Sequence, residues 1–139
     1  MAALTSSQVQ VLLQSAFPDR EVPVIEEVGE QSVLVRLPVD NRHSRPGGTV
    51  SGPTMMMLAD TAGYVAVLSQ VGNLLLAVTT SLHIDFLRKP AMTDLMARGR
   101  LLKLGKKLAV IDVEIFSQGE TDLVAKAQVT YSLPSSTNA

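Results

Sequence analysis

Cysteine and tryptophan are missing from this chain, and its aromatic content is limited to two tyrosines and three phenylalanines. Without cysteine there is no disulfide, no thiolate nucleophile and no thiolate-bound metal, and His43 and His83 are the only imidazoles available as ligands. A structural metal is therefore not expected. An excess of charge of either sign is lacking too: twelve basic side chains face thirteen acidic ones. The basic clusters Arg88-Lys89 and Lys103, Lys106, Lys107 carry no interleaved aromatics, which excludes a general nucleic-acid surface. The nucleophile elbow GxSxG is absent, so no serine-histidine-acid triad is marked. The N-terminal stretch MAALTSSQVQVLLQSAFP has neither a basic n-region nor a continuous apolar run. It does not read as a signal peptide, and a cytoplasmic location follows as the expectation.

What is present is a core. With 46% hydrophobic residues in 139, the chain is long enough for one domain with a buried interior. Ser6 or Ser7 is expected to cap a short helix to about Ala16, ended by Phe17-Pro18. Residues Ser32 to Val39 alternate as a strand with one buried face. Asp40 to Gly52, with three glycines and little apolar matter, reads as a long loop of the kind that carries function. Pro53 to Gly72 reads as a long buried helix, because its apolar residues run all round it. Four alternating segments follow, around Leu82–Phe86, Leu95–Leu101, Ala109–Ile115 and Leu123–Tyr131, the last three long enough to twist around one helix. The fold class is α+β. Met96, Val110, Phe116 and Val124 alternate outward, which predicts that a second copy covers part of the sheet's outer face. Residues from about 135 read as a frayed tail.

Within the helix, Asp60 is the only charged residue. Its neighbours at helical spacing, Met56, Met57, Gly63 and Tyr64, include no base, so its partner must come from another strand or another chain. It lies too deep to serve as a first-turn acid. At the helix start, Gly52 precedes Pro53, and the free N–H groups there would suit a developing oxyanion. Met55, Met56 and Met57 are core filling or a flexible wall for an acyl chain. Tyr64 offers a hydroxyl to a substrate or an interface. His83 alternates with its strand's apolar residues and reads as surface or interface. His43, near Asp40, is the more suggestive imidazole.

The stretch RPGGTVSGPTMMMLADTAGYVAVL, with SLHIDFLRKPA and the strands after it, resembles the hotdog-fold acyl-CoA thioesterase superfamily, in particular its small phenylacetate-pathway-type branch. Leu58-Ala59-Asp60 matches the family's acid segment, and Ile84 to Arg88 with Pro90-Ala91 matches its strand, Lys89 being an extra residue. The resemblance implies a long helix wrapped by a twisted antiparallel sheet. It implies a homodimer with active sites between subunits, often paired again into a homotetramer. It makes Asp60 the general base or nucleophile and the Gly52 amide the oxyanion donor, acting on an acyl-CoA thioester with no cofactor beyond the substrate's own coenzyme A. Arg88, Lys89 and Arg45 are the candidate contacts for coenzyme A phosphates, and Thr79 or Thr80 supplies a hydroxyl that positions water. Three positions depart from the pattern. Ser51 stands for the family histidine, Pro53 for its second glycine, and Arg45 for an asparagine of some relatives. Two other functions fit the same fold: a hydratase or dehydratase using Asp40 and His43, and a non-catalytic acyl-binding module.

Overall fold

The computed structural model describes residues 2–135. Helix α1 spans Ser6–Ala16, strands β1 and β2 span Val24–Gly29 and Ser32–Leu37, and a short 3-10 turn covers Asn41–His43. Two-residue strands β3 (Ser44–Arg45) and β4 (Thr49–Val50) lead into helix α2, Gly52–Val71. Strands β5 (Val78–Phe86), β6 (Leu95–Leu104), β7 (Leu108–Ser117) and β8 (Leu123–Ser132) complete the chain. The tail expected from about 135 lies, Ser135 apart, outside the described residues.

The main sheet is antiparallel in the order β1-β2-β6-β7-β8-β5. Helix α2 lies in its concave face, and Leu58, Ala59, Ala62, Val65, Ala66 and Leu68 are all fully buried there. They meet inward residues of the sheet such as Val33, Val35, Ala97, Ile111, Val113 and Ala125, also fully or almost fully buried. Each large aliphatic side chain so placed contributes about 1.5–3 kcal/mol relative to exposure. The close approach needs glycine. A Cβ on Gly99 would stand 3.3 Å from the Ala62 carbonyl oxygen, and one on Gly63 would stand 3.3 Å from the Tyr131 ring. This is the hotdog fold that the resemblance implies.

Three local differences from the sequence reading have physical causes. The cap of α1 is Thr5, not Ser6 or Ser7: its hydroxyl accepts the Gln8 N–H (3.2 Å) while Gln8 Oε1 accepts the Thr5 N–H (2.9 Å). That reciprocal box outcompetes a lone serine. Strand β1 was unforeseen because a bulge between Ile25 and Glu27 breaks its alternation. Val124 points into the core instead of outward, because the β7–β8 register shifts beside Phe116.

The outer sheet face also differs from expectation. Met96 is buried and Val110 and Phe116 are half-buried. Around them charges pair: Lys126 with Asp112 (2.8 Å) and Glu114 (3.7 Å), Arg36 with Asp94 (2.9 Å) and Glu26 (3.5 Å). Exposed large apolar side chains include Leu102, Leu104 and Leu108 where β6 turns into β7, and also Val78, Phe86 and Leu87 on and beside β5. This nine-residue strand pairs with β8 along one edge, and no described strand covers the other. No helix among the described residues is long and apolar enough to cross a membrane.

Candidate active site

Asp60 is half-buried, not sealed in the core. Two hydroxyls from the sheet converge on one of its oxygens: Thr79 Oγ1 donates to Oδ1 at 2.6 Å and the Tyr131 hydroxyl at 2.9 Å. The register explains the convergence. Thr79 on β5 and Tyr131 on β8 are direct cross-strand partners, so their side chains leave the sheet on the same face. Immediately afterwards the register shifts, leaving Thr80 as the bulge residue and re-aiming the strand. Thr79 is therefore the threonine that reaches the acid. The Tyr131 hydroxyl also lies 2.9 Å from the Asp60 carbonyl oxygen, so its single proton is shared between backbone and carboxylate. Burial, reinforced by the nearby Asp60 charge, pushes the Tyr131 phenol well above its ordinary range, so it stays a donor. Oδ2 of Asp60 bonds to no described residue, which leaves one oxygen free for chemistry.

The acid opens into a cavity of about 360 Å³, whose walls include Leu13, Phe17, Tyr64, Leu75 and Thr79. Tyr64 contributes its ring. Its hydroxyl donates to the Leu75 carbonyl at 2.6 Å, which commits its proton to the fold, and burial raises its pKa. None of Met55, Met56 and Met57 lines this cavity. Met55 is buried, Met56 is exposed, and Met57 takes a weak contact from the Thr61 hydroxyl at 3.7 Å.

Gly52 lies elsewhere. It begins α2 two turns before Asp60, about 12 Å along the axis at 1.5 Å per residue. It borders a second cleft, lined also by Arg45, Phe86, Arg88 and Lys89. Ser51 is the N-cap of α2: its Oγ accepts the Thr54 N–H at 3.3 Å and bonds the Thr54 hydroxyl at 2.8 Å. The Met55 N–H goes to the Ser51 carbonyl oxygen (3.3 Å), and Pro53 has no N–H to offer. Among the described residues this leaves Gly52 as the one first-turn amide without a partner. Without a side chain of its own, Gly52 lies under the Phe86 ring; an added Cβ would stand 3.5 Å from it. Arg88 is tied by one guanidinium nitrogen to the Leu123 carbonyl oxygen at 2.7 Å, and Arg45 and Lys89 are exposed.

His43 is buried and fully engaged. Nδ1 accepts the Asp40 N–H (2.9 Å), which puts the proton of the neutral ring on Nε2, 2.8 Å from Glu21 Oε1. Its carbonyl oxygen accepts the Ser51 N–H at 2.8 Å, so the ring braces the approach to α2. Asp40 is bound by Arg42, which also meets Glu21 at 3.0 Å. Glu21, Asp40 and His43 could converge on a cation, but the Arg42 guanidinium already supplies the positive charge there. His83 is exposed, and its ring lies 3.1 Å from the Asp85 carboxylate.

The site thus consists of a carboxylate held by two hydroxyls and a separate free amide in a cationic cleft. Both stand on one central helix in a hotdog frame. The model of the thioesterase superfamily matches residues 47–130. The chain belongs to that superfamily. A Pseudomonas aeruginosa protein named provisionally as an esterase is 33% identical over 107 residues, 76% of this chain and 78% of its own. A solved structure from Silicibacter sp. TM1040, provisionally named a thioesterase, superposes with a TM-score of 0.87 at 40% identity, over 96% of this chain and 94% of that one. A hypothetical thioesterase of Streptococcus pneumoniae, solved with coenzyme A, gives a TM-score of 0.72 at 26% identity, over 83% and 90%.

Tyr131 is the residue of the candidate site that sequence reading missed. It stands at the end of a run of inward apolar residues and is separated from Asp60 by 71 positions, so only the β5–β8 register reveals it.

Proposed function

We propose that the protein hydrolyses an acyl-CoA thioester at a site completed by a second copy of the chain, within the phenylacetate-pathway-type branch. The observation that carries this is the placement of the two half-sites at opposite ends of β5. Asp60 bonds Thr79 near its start, and Gly52 packs on Phe86 at its end. The free edge of β5 invites a strand. If two copies pair antiparallel along it about a two-fold axis near the strand's middle, the Thr79 end of one meets the Phe86 end of the other. Asp60 of one copy then faces the Gly52 amide of its mate, with Arg45, Arg88 and Lys89 beside it to take coenzyme A phosphates.

In this reading Asp60 Oδ2 takes a proton from water as the water oxygen bonds to the thioester carbon. The Gly52 N–H stabilises the carbonyl oxygen as it becomes anionic. Collapse breaks the carbon–sulfur bond, and the proton returns from Asp60 to the thiolate, giving acid and free coenzyme A. Direct attack by Oδ2 through an anhydride is the second route open to the same oxygen. Thr79 and Tyr131 hold Oδ1 and fix the carboxylate plane for either. A dimer, paired again into a tetramer, and a cytoplasmic location belong to this proposal. The hydratase reading has little support, since both nitrogens of His43 and the carboxylate of Asp40 are already bonded.

Free-thiol release from a panel of acyl-CoAs tests the reading. Asp60→Asn is expected to lose more than about tenfold, equivalent to 1.4 kcal/mol of barrier. Equal rates for the variant would remove Asp60 from the chemistry, and no hydrolysis by either protein would leave a non-catalytic acyl-binding module. Sedimentation checks the shared site: a monomer with full activity would refute it.

A further inference from the structure

We propose that the acyl group ends in an anion, so that the substrate is the coenzyme A monothioester of a dicarboxylic acid; this rests on the reading of the Asp60 cavity as the acyl site. Three rings stand in series between the Asp60 carboxylate and one cation. The Tyr131 hydroxyl bonds Asp60, and the Tyr131 ring stacks on Tyr64 with centroids 5.7 Å apart and planes at 26°. Tyr64 in turn meets Phe17 edge-on at 6.1 Å, and the Arg20 guanidinium sits 5.5 Å from the Phe17 ring centroid.

Among the described residues, Arg20 is the only basic one lining this cavity. It is exposed, so it stands where the cavity meets solvent, and its own backbone N–H is turned back onto the Phe17 carbonyl oxygen at 3.2 Å. Neither of the acids flanking it, Asp19 and Glu21, forms an ion pair with it among the described residues. Glu21 spends one oxygen on His43 Nε2 (2.8 Å) and the other on Arg42 (3.0 Å). Among the described residues Arg20 therefore has an aromatic face beneath it and no carboxylate opposite it. A guanidinium so placed offers a planar pair of donors that suits a terminal carboxylate. The apolar walls Leu13, Phe17 and Leu75 take the methylenes between. Hydrolysis would then release a dicarboxylate and coenzyme A, by the same bond changes as for a neutral acyl group.

The test compares kcat/KM for adipyl-CoA, its methyl ester and hexanoyl-CoA, in the wild type, Arg20→Gln and Arg20→Lys. The expected result is a preference for adipyl-CoA of roughly fivefold, the scale of a solvent-facing ion pair, that shrinks as salt is added. Arg20→Gln should bring the adipyl to hexanoyl ratio to about one, and Arg20→Lys should keep part of it. A wild type with no such preference, or an Arg20→Gln variant that keeps the wild-type ratio, overturns the proposal while leaving thioester hydrolysis standing. If none of the three is hydrolysed and Asp60→Asn changes nothing, the hydrolase reading falls and this inference with it. Melting temperature of each variant separates loss of fold from loss of recognition.

Discussion

Replacing Tyr131 by phenylalanine removes one oxygen and little else, because the ring stays packed between Tyr64 and the core. The lost hydroxyl serves two acceptors with one proton, the Asp60 carboxylate and the Asp60 carbonyl, each at 2.9 Å. A hydrogen bond to a charged group contributes about 1.5–3 kcal/mol net, and one divided between two acceptors and half-open to solvent belongs at the lower end. We expect Tyr131→Phe to cost about 1.5 kcal/mol, seen as a melting temperature lower by roughly 5 °C and a lower urea midpoint at unchanged slope. Activity should fall further than stability suggests. With one of its two clamps gone, the carboxylate rotates about the remaining 2.6 Å bond from Thr79, and misplacing a catalytic group costs about tenfold or more in kcat. Thr79→Val should act similarly, and the double variant should lose less than the two single losses combined, because both donors hold the same oxygen. Thiol-release kinetics at saturating acyl-CoA reads this directly. Strict additivity, or a Tyr131→Phe variant with wild-type kcat, would refute the idea that the two hydroxyls act jointly on Asp60.

Ser51→Ala removes the cap of α2 and should destabilise the protein by about 1 kcal/mol in a urea melt, with Ser51→Asp recovering most of it. Gly63→Ala gains about 1 kcal/mol of helix propensity but drives a methyl group to 3.3 Å from the Tyr131 ring and 3.4 Å from Val129. Overpacking of that kind costs about 1–3 kcal/mol, so the net effect should be a loss of stability accompanied by lower activity. Asp40 titrates in the folded state at about 2, from an ordinary 3.8, held down first by the Arg42 side chain and then by its backbone N–H. A depressed carboxylate stabilises above its unfolded value, and that contribution is lost as pH falls from about 4 through 2. Carboxyl NMR should show the low midpoint, and Arg42→Gln should return it towards the ordinary value.

The fold was largely readable because its elements are periodic. The α2 segment is apolar all round and must be central, and β7 keeps a two-residue alternation over its ten residues while β6 and β8 keep it over most of theirs. What escaped were irregularities: β1 behind its bulge, and Val124 turned inward by a register shift. Asp60 was legible for an energetic reason, since a charge in an apolar helix demands a partner. The partners were not, because hydroxyls at positions 79 and 131 become neighbours of position 60 only through pairing register.

Where the resemblance would place a histidine and a second glycine at the start of α2, this chain has Ser51 and Pro53, and the Gly52 amide between them stays free among the described residues. A serine at position 51 has an oxygen at capping reach, and it takes up the Thr54 N–H. Proline at position 53 deletes a donor and fixes the backbone in a helical conformation. The Met55 N–H is bonded to the Ser51 carbonyl oxygen. Ser51 and Pro53 thus leave the Gly52 amide as the one free first-turn donor among the described residues, and in the proposed function a single donor polarises the carbonyl without a flanking histidine. On this argument Ser51→His adds an imidazole but sacrifices the cap, so it should lower stability without raising kcat. A variant that gained activity at unchanged stability would show that the lone amide is the weak point of the site.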